Sequence, residues 1–186
     1  QIKGMPVVKK VSWIYFLTLT LGFAFFQNAY AGVDADVYYG YTFGGSLNGE
    51  DVKGPVRGLS VHYHGSFLPM INLRIGGFYQ ESDLEYEIHD VDREATRKTA
   101  GMDLTLIGDF PVFHPYGRVN IGGLDIFEDE GKKRDMELFR AWGAGVGLEV
   151  TLVPFFRVFG EYRRDQADHG AAIRTDSAIL GVCLNF

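Results

Sequence analysis

Val33-Asp34-Ala35-Asp36-Val37-Tyr38-Tyr39-Gly40-Tyr41-Thr42-Phe43 is the stretch that decides the fold of this chain. One parity holds Val33, Ala35, Val37, Tyr39, Tyr41 and Phe43. The other holds Asp34, Asp36, Tyr38, Gly40 and Thr42. A period of two over eleven residues is that of an extended strand whose two faces meet different surroundings.

The same split recurs along the chain. Leu59, Val61, Tyr63 and Phe67 oppose Ser60, His62, His64 and Ser66; Ile71, Leu73, Ile75 and Tyr79 oppose Asn72, Arg74, Gly76 and Gln80. Met102, Leu104 and Leu106 stand against Gly101, Asp103 and Thr105, and Trp142, Ala144, Val146 and Leu148 against Gly143, Gly145, Gly147 and Glu149. Phe156, Val158 and Tyr162 oppose Arg157, Glu161 and Arg163, and Ala178, Leu180, Val182, Leu184 and Phe186 oppose Ser177, Gly181 and Asn185. Between Tyr116 and Ile126 the parity slips, and a bulge at Gly122-Gly123 restores it. Eight strands result.

Their connections alternate in kind. Leu68-Pro69-Met70, Pro111 to Pro115 and Val153-Pro154-Phe155 are short, apolar and proline-marked. Gly45 to Pro55, Asp83 to Arg97, Glu128 to Glu137 and Asp165 to Arg174 are longer and charged, and are expected to be loops. Short turns on one side and long loops on the other predict an all-β, closed, antiparallel up-and-down transmembrane barrel.

The N-terminus supports export. Lys9 and Lys10 precede an apolar run from Val11 to Phe26 that ends in Ala29-Tyr30-Ala31, so residues 1–31 read as a signal peptide and 32–186 as one barrel domain. Removing Lys3, Lys9 and Lys10, and no acid, takes the net charge from -6 to -9. An acidic chain is a poor partner for nucleic acid, whose binding rests on clustered Lys and Arg. Cys183 is the single cysteine, which excludes an internal disulfide.

The polar parity decides which face meets lipid. It carries Asp34, Asp36, His62, His64, Arg74, Asp103, Arg118, Glu149, Arg157, Glu161 and Arg163, with many glycines. An eight-stranded barrel has only enough interior for its own side chains, and rows of Tyr, Phe, Trp and Leu are too bulky for it. Turned inward, the charged set pairs in a filled core. Turned outward, the apolar rows meet hydrocarbon, with Phe67, Phe110, Tyr116, Phe155, Phe156 and Phe186 near the short turns and Tyr41, Phe43, Tyr79, Trp142 and Tyr162 near the long loops as two aromatic girdles.

At the C-terminus, Gly181-Val182-Cys183-Leu184-Asn185-Phe186 resembles the terminal targeting strand of bacterial outer-membrane barrels. Together with the leader and the strand count, residues 32–186 resemble the eight-stranded barrels typified by the transmembrane domain of outer membrane protein A and the small adhesin/resistance barrels. That resemblance implies residence in the outer membrane amid lipid and lipopolysaccharide. It also implies recognition of Gly181, Leu184 and Phe186 by the barrel-assembly machinery, and a non-enzymatic role at the cell surface.

Several residue groups invite sharper readings. His64-Gly65-Ser66 resembles the His-x-Ser spacing of outer-membrane lipid A deacylases, which makes His64 and Ser66 the alternative catalytic pair. Both stand on the inward parity beside a short turn, which favours two interior polar positions. A narrow channel for small solutes is a further alternative, and a balanced interior argues against it. His62 and His64 beside Asp34 or Asp36 are expected to be hydrogen bonded, with no metal. Glu128-Asp129-Glu130 and Asp90-Val91-Asp92 lack the spaced ligands of a calcium loop. No cofactor is implied. Arg140 and Arg174, on the outward parity near the loop rim, are candidate contacts for lipopolysaccharide phosphates.

Overall fold

In a computed structural model of the chain, the described residues are 32–186 without 48, 89, 90, 130, 131 and 169–171. At 88, 127, 129, 132–140, 168 and 172 the description is of the backbone alone. The leader expected at 1–31 lies outside the described residues.

Eight strands follow in chain order: β1 (Gly32–Leu47), β2 (Glu50–Leu68), β3 (Ile71–Ile88), β4 (Val91–Gly108), β5 (Phe113–Asp129), β6 (Lys132–Val153), β7 (Phe156–Asp168) and β8 (Ala172–Asn185). Each pairs antiparallel with the next, and β8 returns to β1 to close a barrel. At the seam, Val33 and Phe186 exchange backbone hydrogen bonds of 3.1 and 2.9 Å. Closure leaves no strand edge for lipid to meet. The register shift predicted at Gly122-Gly123 is present, with Gly122 and Leu124 paired and Gly123 skipped on both sides.

Paired residues followed once around the sheet lead from Ala35 through Val61, Gly77, Met102, Ile121, Trp142, Gln166 and Arg174 back to β1 at Ser46, eleven residues further on. Spread over eight strands about 4.8 Å apart, that offset inclines them by roughly 40° to the axis. At that tilt the run from Val33 to Tyr41 rises roughly 20 Å, close to the apolar band of an outer-membrane barrel.

The inversion of inside and outside is plain. Among the described residues, 34 large apolar side chains are exposed, against 16 buried apolar residues that include three alanines and a cysteine, while buried polar and charged side chains number 22. No water-soluble arrangement explains an apolar outside over an ionic core, so the barrel is a membrane barrel.

The four long loops of the sequence reading are not found. Strand pairing runs from Leu47 to Glu50, from Ile88 to Val91, from Asp129 to Lys132 and from Asp168 to Ala172. Glu81, Asp83, Glu85 and Glu87 keep the outward parity of Tyr79, and Ser82, Leu84 and Tyr86 stay buried. The charges mark where the outer face passes from lipid into water. The strand itself continues.

Candidate functional site

The polar rows of all eight strands converge in a packed ionic core that rises from the short-turn end. Arg74 on β3 directs Nε to Asp34 Oδ2 at 2.7 Å and both terminal nitrogens to Glu149, with Nη2 donating to Oε2 at 2.9 Å. Arg157 Nη1 donates to the same Glu149 oxygen at 3.4 Å. Asn185 Nδ2 donates to Asp34 Oδ1 at 2.7 Å, and His64 Nδ1 lies 3.2 Å from Asp34 Oδ2. Planar two-bond contact between guanidinium and carboxylate is the geometry that best offsets the desolvation of a buried pair.

Above this layer His62 stands between two carboxylates, Nδ1 3.3 Å from Asp36 and Nε2 2.7 Å from Asp103. Ser60 donates to Asp36 at 3.0 Å, and Arg118 reaches Asp36 at 3.5 Å and Glu161 at 3.7 Å. Glu161 also accepts from Tyr116 at 2.7 Å and from Arg163 Nε. Arg163 Nη1 donates to Gln80 at 2.7 Å and lies over the Tyr38 ring. Gln80 and Asn120 in turn donate to Asp165 at 3.3 and 3.2 Å. Higher still, Arg97 and Thr99 hold Asp125 at 3.1 and 2.6 Å.

Glycine makes this filling possible. The ring of Tyr38 lies where a side chain of its cross-strand partner Gly58 would stand, Tyr116 does the same at Gly147, and Phe159 at Gly181. Two apolar clusters complete the interior. Tyr38, Val56, Ile107, Tyr116, Phe159, Ile179 and Cys183 form one, and Leu47, Val52, Tyr86, Ala95, Ala141, Ala167 and Ile173 form the other. The second belongs to the loop-side ends of the strands and fills the barrel there.

The expected interior residues are thus brought together. Asp34, Asp36, His62, Arg74, Asp103, Arg118, Glu149, Glu161 and Arg163 are buried, and His64 and Arg157 keep 19 % and 18 % side-chain exposure at the short-turn end. Ser66 does not join them. It is exposed, just before a register shift between Ser66 and Leu68, and its expected inward position beside His64 is corrected. Among the described residues no hydrogen bond links His64 to Ser66, and His64 Nδ1 faces Asp34. No group of His, Cys, Asp and Glu able to hold a metal ion occurs among the described residues.

Tyr38 and Gln80 stand on the polar parity already, yet their neutral side chains hid their place in the network. Arg97 and Asp165 fall at the borders of segments read as loops, and Asp125 follows the bulge. Cys183 is buried, as its inward parity requires.

On the outer face, Tyr39, Tyr41, Phe43, Tyr79, Trp142 and Tyr162 are exposed towards the loop side, and Phe67, Phe110, Phe155 and Phe186 towards the short turns. Tyr116 departs from the expected girdle because it turns inward. Charged pairs border the apolar belt on the loop side: Arg57 with Glu81 and Asp83, Lys98 with Glu128, and Arg164 with Asp176. Arg174 is exposed on β8, and the side chain of Arg140 lies outside the described residues. Above the belt, β1 to β4 enclose a cleft of about 1270 Å³ lined by Glu50, Asp51, Lys53, Glu85, Glu87, Asp92, Arg93 and Glu94, with Val52 and Tyr86 beneath.

No protein-family model matches the sequence, and neither does any curated protein. Solved structures do resemble the fold. Neisserial surface protein A (NspA) superposes with a TM-score of 0.65 at 16 % identity, over 84 % of this chain and 97 % of that one. Ail, the attachment invasion locus protein of Yersinia pestis, in complex with the heparin analogue sucrose octasulfate, gives 0.52 at 15 % identity, over 84 % and 98 %. At such identities the likeness is one of fold, that of the small eight-stranded outer-membrane barrels.

Proposed function

We propose that this chain is a non-enzymatic surface-interaction protein of the outer membrane, exported by residues 1–31 and presenting paired hairpins above the lipid. The observation that carries this reading is the continuation of β3 and β4 to the Ile88–Val91 pair, past the last apolar outward residue of β3, Tyr79. A closed, ion-paired interior gives that extension no work to do for a conduit. It offers strand faces to a partner.

Charge narrows the partner. The cleft between the first two hairpins carries six carboxylates against Lys53 and Arg93. A polyanion such as the sucrose octasulfate bound by Ail meets like charge here, and we infer that such ligands are not shared. Arg174, exposed at the rim, is in this reading the contact for lipopolysaccharide phosphate. The terminal residues Gly181, Leu184 and Phe186 serve barrel assembly in this reading.

The test expresses the full chain beside a variant lacking residues 84–95 and measures cell attachment, lipid A acyl number and bilayer conductance. Attachment lost in the shortened variant, with unchanged lipid A and no steady conductance from either protein, is the expected result. A reduced lipid A acyl count, or a stable conductance, refutes the reading.

A further inference from the structure

Gly160 interrupts an otherwise bulky outward row. Its register partners are Leu148 on β6 and Leu180 on β8, and the next outward row toward the short turns is Val150, Val158 and Val182. The missing side chain opens a groove of about 620 Å³ on the lipid-facing surface of three strands. Leu180, 74 % exposed, forms one wall.

The two ends of this groove differ. Towards the short turns the outward residues are Leu152, Phe156 and Leu184, all apolar. On the loop side the outward face turns polar, where Asp176 accepts hydrogen bonds from Arg164 Nε and from the Tyr162 hydroxyl at 2.6 Å. The Arg164 side chain keeps 44 % exposure.

We propose that the groove seats one acyl chain of lipid A, with a phosphate of its head group at Arg164. Only lipid chains and other membrane proteins reach this depth. A specific protein interface uses about 20–30 residues on each side, whereas this shallow groove is lined by eight residues around a single glycine, an extent that suits one chain rather than a second copy. The head lies on the loop side, where the half-exposed Arg164, held through Nε by Asp176 and through Nη2 by the Tyr162 hydroxyl, keeps Nη1 outside those bonds for a phosphate oxygen.

Gly160 can be filled without disturbing the barrel. A Cβ there meets nothing nearer than Leu180 Cδ2 at 3.5 Å, an ordinary contact. The experiment is native mass spectrometry of the barrel extracted from lipopolysaccharide-containing outer membranes in mild detergent. The wild type is expected to retain one lipid A, and Gly160→Phe to lower that occupancy at least tenfold with unchanged heat-modifiable migration. Leu180→Ala, which removes a wall, gives the same loss should Gly160→Phe fail to assemble. Equal lipid A occupancy in the wild type and the groove variants overturns the proposal. So does retention of a phospholipid in its place, or a homodimer that the variants abolish.

Discussion

Replacing Arg74 by Met tests whether the ionic core holds the barrel together. Arg74 is buried, bonded in fork fashion to Glu149 and ion-paired through Nε with Asp34 at 2.7 Å. Its loss leaves two buried carboxylates. Asp34 retains Asn185 and His64, and Glu149 retains, among the described residues, the 3.4 Å contact from Arg157 alone. Removing one partner of a buried ion pair costs about 3–5 kcal/mol, roughly two to three and a half powers of ten in the folding equilibrium at about 1.4 kcal/mol per tenfold. Urea titration of the barrel in lipid vesicles, followed by gel migration without boiling, reads the shift. Neutralising the orphaned acid should restore part of it, so Arg74→Met with Glu149→Gln is expected to be more stable than Arg74→Met alone. A single variant within about 1 kcal/mol of wild type, below the range for a broken buried pair, refutes the reasoning. A double variant that shows the plain sum of the two losses does so as well.

Val146, 63 % exposed in the middle of β6, should meet hydrocarbon; Val146→Arg is expected to cost about 2–4 kcal/mol in lipid. Val91→Arg, on the hairpin above the belt, is expected to be near neutral, and equal effects at the two positions in the same urea titration contradict the assigned orientation. Gly181→Ala forces a methyl group into the space of the Phe159 ring and towards the Val37 carbonyl, so a loss of about 1–3 kcal/mol is expected. Combined with Phe159→Leu the loss should shrink, and an undiminished loss in that background would show that Gly181 acts otherwise than as a socket.

The barrel was legible because lipid outside and ionic packing inside impose opposite demands on alternate residues of every strand. The eleven residues from Val33 to Phe43 already contain that contrast, and the glycine pair at 122 and 123 exposes the bulge. Charge in the outward row does not end a strand. From Glu81 to Glu87 the outward residues are acidic because water has replaced lipid, while Leu84 and Tyr86 still pack inside. Parity also places side chains only where the strand is regular. Ser66 precedes a register shift and is exposed, whereas His64, two residues earlier, still faces Asp34. The pairing of Tyr38 with Gly58, or of Phe159 with Gly181, needs cross-strand register, which one strand's sequence does not contain.

The same continuity bears on how a partner would be met. β3 and β4 pair without a register break from Ile71 with Gly108 up to Ile88 with Val91, so the exposed hairpin extends the hydrogen-bonded ladder fixed within the membrane. A long loop must be ordered on binding, at about 1–2 kcal/mol for each residue fixed. A hairpin already held by its ladder is pre-organised and avoids most of that cost. If the proposed surface role holds, a partner would meet Glu81, Asp83, Glu85 and Glu87 at a fixed spacing of about 6.6 Å along one outward row, the first two already paired with Arg57. A partner that matched that spacing would gain affinity from the rigidity of the barrel below, which is how a packed ionic interior would serve the proposed surface role.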